Sequence, residues 1–105
     1  MTGFIIFPEV EHKLTHKHNV SIVEIEEARL YSQGPFVRDV RQLIFPRWWF
    51  ISATLQARRL KIVYWYDHEF ADPILLTAYA PNLKEETAYA KAIKNPDWPK
   101  APKRP

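Results

Sequence analysis

Two β-prone runs, Arg47 to Leu55 and Leu60 to Tyr66, limit what this chain can fold into more than any other feature. Both are dense in aromatic and β-branched residues, and the polar link Gln56-Ala57-Arg58-Arg59 lies between them, so they are expected to form an antiparallel hairpin. With Thr54 opposite Arg59, Ser52 faces Lys61, Phe50 faces Val63 and Trp48 faces Trp65. Alternation then sends Trp49, Ile51, Ala53, Leu60, Ile62 and Tyr64 toward a core. The other face carries Trp48, Phe50, Ser52, Thr54, Arg59, Lys61 and Trp65, with cations and hydroxyls near the turn.

The flanking segments supply the rest of an α+β domain. Phe4-Ile5-Ile6-Phe7 reads as a buried strand, and Pro8 suits the first position of a helix to about residue 17, with Glu9 and Glu11 at its positive end. Ser21 followed by Glu24 is a capping box, so a second helix begins at Ile22 and runs to about Ser32, where Gln33-Gly34-Pro35 stops it. Residues 36 to 41 read as an edge strand or an ordered loop, ended by Pro46. Ile74 to Tyr79 forms the third long strand, and Asn82 caps a short terminal helix over 83 to 93. The expected architecture is an N-terminal strand and two helices, an antiparallel meander of three to four strands and a C-terminal helix, with the helices on one face of the sheet.

At 105 residues, 47% hydrophobic and 14% aromatic, the chain suffices for a single core, taken as residues 1–94. Four prolines in residues 95–105 mark an extended or disordered basic tail. The absence of cysteine excludes disulfides, thiolate metal sites and a Cys nucleophile. Neither a leader pattern nor an apolar run of about 20 residues is present, and a cytoplasmic location without membrane partners is expected.

Charge is unevenly spread. Residues 34–61 hold six basic side chains and one acidic one, which is the electrostatic footprint of a phosphate-binding surface or simply of a basic face. Cations interleaved with flat rings suit single-stranded RNA: Arg59 and Lys61 grip the backbone, and Trp48 and Trp65 stack on bases. The competing reading has those rings covered by the terminal helix. With only Gly3 and Gly34, no glycine-rich phosphate loop exists, and no Ser has a nucleophile-elbow context. His12 and His16 have a spacing that can hold a metal, but no zincin Glu accompanies them, and neither metal nor cofactor is expected.

Lys17-His18-Asn19-Val20-Ser21 before an acidic helix, Arg47-Trp48 with Ile51 and Thr54, Arg58 or Arg59 with Leu60-Lys61-Ile62-Val63, and Thr77-Ala78-Tyr79-Ala80-Pro81 together resemble the BrnT-like group of the RelE/ParE toxin superfamily. The likeness covers roughly residues 5 to 90. It implies a RelE-like fold and a metal-independent endoribonuclease, free or acting on the ribosome, in which the RNA 2′-hydroxyl attacks the adjacent phosphate. It also implies neutralisation by a cognate antitoxin. Carried onto this chain, it implicates Lys61, Arg59, His18 and Tyr79 in catalysis and Lys17, Arg47, Trp48, Thr54, Arg58 and Trp65 in RNA binding. Two positions depart from the family pattern, Asn19 and Ala57, where Gly is usual. Two alternatives stay open: a non-catalytic RNA- or protein-binding module, and an orphan accessory-gene product that homodimerises through its aromatic face.

Overall fold

The computed structural model describes residues 3–32, 36–39, 47–66 and 72–94. The Gln33-Gly34-Pro35 stop, Pro46 and the proline-rich tail lie outside them. The described elements run α1 (Pro8–Lys13), a π-helical turn (Leu14–His18), α2 (Ile22–Leu30), β1 (Val37–Arg38), β2 (Arg47–Ala53), β3 (Arg59–Trp65), β4 (Ile74–Tyr79) and α3 (Leu83–Lys94). The four strands form one antiparallel sheet in the order β1-β2-β3-β4, so the expected α+β layout is present.

Local chemistry explains most boundaries. Pro8 opens α1 directly after Phe7, which leaves the N-terminal segment room for one parallel bridge, Ile5 to Ile74, in place of the expected strand. Leu14 to His18 widens into a π-turn that Asn19 ends in a left-handed conformation, and Val20 N–H closes it on the Leu14 carbonyl at 2.9 Å. Ser21 and Glu24 form the full capping box at the start of α2. Asn82 and Glu85 repeat it at α3, through Asn82 N–H to Glu85 at 3.0 Å and Glu85 N–H to Asn82 at 2.8 Å.

The hairpin differs from expectation by one residue. Its link is the three-residue loop Leu55-Gln56-Ala57, closed by Thr54 N–H to the Arg58 carbonyl and Ala57 N–H to the Thr54 carbonyl, both 2.9 Å. Ala57 sits at φ 65, the arrangement of a type I turn followed by a left-handed residue. Ala53 therefore faces Arg59, Ser52 faces Leu60, Phe50 faces Ile62 and Trp48 faces Tyr64. A slip of one reverses the faces of β2 while those of β3 stay as expected. Trp48, Phe50 and Ser52 are buried with Leu60, Ile62 and Tyr64, and Trp49 turns to the other face. Leu14, Ile25 and Ala28 join this core from the N-terminal helical region.

The helices do not all share one face. The core face holds Tyr64 with Phe4 edge-on at 5.6 Å and Phe50 with Phe36 edge-on at 5.2 Å. α3 meets the opposite face, through Tyr89 against Trp49 at 5.4 Å and through ion pairs to Arg59 and Lys61. This corrects the expected one-sided layer. Reversing β2 puts Trp49 and Ile51 on that second face, and an apolar strip there needs its own cover. Among the described residues no helix is long and apolar enough to cross a membrane.

Candidate functional site

A groove of about 430 Å³ opens on the α3 side of the sheet, over the stretch that α3 leaves uncovered. Three strands build it. Arg47 and Trp49 come from β2, Lys61 and Val63 from β3, and Thr77 and Tyr79 from β4. These residues share a face because Trp49 pairs with Val63, Val63 with Thr77, and Lys61 with Tyr79. A register shift between Val63 and Tyr64 leaves Leu76 without a pairing partner on β3, so Leu76 and Thr77 both line the wall. Lys13 of α1 and the buried Asp39 complete the rim.

Lys61 is the centre of the site. Its ammonium lies 4.6 Å from the Trp49 ring centroid and 5.9 Å from that of Tyr79, and it bonds the Glu85 carboxylate at 2.8 Å. The Tyr79 hydroxyl donates to the same Glu85 oxygen at 2.7 Å. Burial works to raise the Glu85 carboxyl, but Lys61, the Asn82 N–H and Tyr79 outweigh it and hold it below the ordinary carboxylate range. Two residues nearer the hairpin turn, Arg59 grips Glu86 with a two-pronged fork, Nε at 3.0 Å and one terminal nitrogen at 2.8 Å. Arg59 and its desolvation oppose each other on Glu86, and the pairing wins, lowering that carboxyl too.

The π-turn brings a third set of groups. The His18 ring stacks at 5.7 Å from Tyr79, tilted by 37°. Desolvation first, then the charges of Lys17 and Lys13, lower the His18 pKa, so its neutral imidazole dominates at neutral pH and can accept a proton. Lys13, Arg47 and Lys61 thus line the groove with positive charge, and His18, with Lys17 next to it in the chain, reaches it at Tyr79; such a lining attracts a polyanion, against which stand Asp39 on the rim and Glu85 on Lys61.

The expected residues divide into two groups. Lys61, Tyr79 and Arg47 line the groove and His18 meets it through the Tyr79 ring, with Lys17 next to His18 in the chain; Trp65 lies opposite Arg47 on the same face, and Arg59 is two residues from Lys61 toward the turn. Trp48 does not join them. It is 9% exposed in the core, so it offers no stacking surface, and the ring facing the groove is Trp49. Thr54 is buried in the turn, where its hydroxyl accepts the Arg58 N–H at 3.2 Å. Arg58 turns away from the groove and staples the hairpin to the α1–α2 corner, bonding the His18 and Asn19 carbonyls at 3.2 and 2.7 Å and Glu24 at 2.9 Å.

Sequence reasoning missed Trp49, Thr77, Lys13 and the two glutamates. Thr77 stands two residues before Tyr79 on one strand, and Lys13 four before Lys17 on one helical path, so periodicity alone could have found both. Trp49 needed the correct register. The role of Glu85 and Glu86 as partners of the hairpin cations has no local signal, because Lys61 and Arg59 are more than twenty residues away; the local signal of Glu85 is only that of its cap with Asn82. The exposed His12 and His16 rings stack at 4.2 Å away from this groove, and among the described residues no group of three potential metal ligands forms. No protein-family model, curated protein or solved structure matches this chain.

Proposed function

We propose that the protein is a toxin-type endoribonuclease that binds single-stranded RNA in the groove and cleaves it by attack of the RNA 2′-hydroxyl on the neighbouring phosphate. The observation that carries this reading is the cross-strand pair Lys61–Tyr79 beside His18, with Arg47 and Trp49 on the same face. Lys61 and Arg47 stabilise the charge that grows on the phosphate oxygens. The neutral His18 accepts the 2′-hydroxyl proton, and Tyr79 lies within ring contact of it to orient or protonate the leaving oxygen. Trp49 stacks on an unpaired base. This reading places the protein in the cytoplasm, acting on free or ribosome-bound RNA, with a small antitoxin as its neutralising partner.

The test compares wild type with Lys61→Ala on a labelled single-stranded RNA and in a cell-free translation reaction. Cleavage or translation arrest by the wild type, reduced at least a hundredfold in the variant, is the expected result; equal inactivity of both would sink the proposal. One observation favours a second reading, a non-catalytic binding module: Arg59 and Lys61 are both neutralised by carboxylates of their own chain. Tight RNA binding with intact substrate after long incubation would select it.

A further inference from the structure

The carboxylate of Glu85 is held as a bound phosphate would be. A single oxygen, Oε2, accepts from the Lys61 ammonium at 2.8 Å and from the Tyr79 hydroxyl at 2.7 Å. Lys61 is left with 12% of its side chain exposed and Glu85 with 19%. The adjacent Glu86 fills the Arg59 fork in the geometry with which guanidinium groups take two oxygens of a phosphate. Two successive carboxylates on one helical turn therefore occupy the two cations of β3, Arg59 and Lys61.

The anchoring of α3 is divided along its length. Its buried residues, Tyr89 and Ala92, lie in the C-terminal half. Its first turn has Leu83 83% exposed, and the ties the structure shows there are the Glu85 and Glu86 pairs together with the Asn82 cap. The Tyr89–Trp49 contact involves neither Glu85 nor Glu86, so the packing of the C-terminal half does not depend on these pairs.

We infer that Glu85 is an intramolecular competitor for the phosphate position between Lys61 and Tyr79, so that the first turn of α3 holds the groove in a self-occupied state until a polyanion displaces it. The inference rests on the RNA reading of the same groove and adds its regulation. An incoming phosphodiester must break the Lys61–Glu85 and Tyr79–Glu85 bonds before it forms its own, and this lowers affinity by the strength of those bonds. Glu85→Gln removes the competing charge while keeping the length of the side chain and its cap on the Asn82 N–H.

The experiment measures binding of a fluorescein-labelled uridine 12-mer, and separately of inorganic pyrophosphate, to wild type, Glu85→Gln and the charge-matched control Glu26→Gln. Glu85→Gln is expected to bind both probes at least tenfold more tightly than Glu26→Gln, and to steepen the salt dependence of RNA binding by about 0.7 for the freed cation. Adding Lys61→Met must abolish the gain. Glu85→Ala, which cannot take over the Tyr79 bond, must show the same gain. Equal affinities for Glu85→Gln and Glu26→Gln overturn the inference, as does a gain that survives Lys61→Met. The two proposals fail separately. Wild type that cleaves RNA through Lys61 with no gain in Glu85→Gln removes only the competitor; a Lys61-dependent gain for pyrophosphate, without RNA binding or cleavage by any variant, removes only the ribonuclease.

Discussion

Ala57 donates its N–H to the Thr54 carbonyl at 2.9 Å while holding φ at 65, so a residue with a Cβ occupies the left-handed position that sets the register of the central hairpin. An alanine there is strained by about 1 kcal/mol relative to glycine, which reaches this region at no steric cost. Ala57→Gly is therefore expected to raise stability by up to about 1 kcal/mol, less the extra freedom glycine gives the unfolded chain. Urea unfolding checks it; an unchanged or lower midpoint would show that the strain is relieved elsewhere.

The same residue marks the limit of what the sequence discloses. Elements whose signals are local were legible: the Ser21–Glu24 box starts α2 at Ile22, Pro8 starts α1, and Ile74 to Tyr79 forms β4. The hairpin pairing was not, because Ala57 does not announce a left-handed residue as Gly would, and because both faces of β2 carry aromatic rings. Trp48 and Trp49 satisfy alternation equally well with either one inside. One residue more in the loop was enough to place Thr54 and Ser52 in solvent on paper when both are buried. Lys61 keeps the face expected of it because the slip leaves the faces of β3 unchanged, whereas the face of Tyr79 follows only from its pairing with Lys61 across β3 and β4.

The two tryptophans should separate stability from binding. Trp48 is packed in the core with Tyr64 and Phe50, so Trp48→Ala should cost about 3–5 kcal/mol and strongly lower the melting temperature. Trp49 lines the groove under Lys61, so Trp49→Ala should cost less stability and weaken single-stranded RNA binding by about 1–3 kcal/mol. Calorimetry and an oligonucleotide titration on both variants decide the assignment, and the opposite pattern would restore the other register.

Arg58 acts on architecture. Its guanidinium satisfies two carbonyls at the end of the π-turn and pairs with Glu24, so Arg58→Ala should destabilise the fold by about 1–3 kcal/mol. Arg58→Lys should recover only part of this loss, since an ammonium cannot span the three acceptors as a planar fork does. RNA affinity measured well below the melting temperature should change less than in Arg47→Ala; a larger loss in Arg58→Ala would return it to the binding surface.

Tyr64 carries a buried hydroxyl with no hydrogen-bond partner among the described residues, enclosed by the Phe4, Phe36 and Phe50 rings. Burial pushes its pKa far above the ordinary tyrosine value. A desolvated, unbonded hydroxyl costs about 1–3 kcal/mol, so Tyr64→Phe should leave the fold intact and stabilise it by about 1 kcal/mol. A clear loss of stability would reveal a partner for the hydroxyl.

Acid should weaken the protein in two windows, both of the same sign. His18 has its folded pKa below the unfolded value of 6.5, so its contribution is complete above that pH and is lost as pH falls through the folded value. Glu24, Glu85 and Glu86 have folded values below 4.5, so the stability they supply is present above 4.5 and disappears as pH falls further. Thermal melts from pH 8 to pH 3 should show a small decline beginning near 6.5 and a steeper one below 4.5. His18→Asn should remove the first. Glu85→Gln should start from a lower melting temperature at pH 7 and converge on wild type in the second window, because protonated Glu85 and Gln present equally uncharged partners to Lys61. Parallel curves for wild type and Glu85→Gln down to pH 3 would mean that the Lys61–Glu85 pair contributes nothing to folding stability.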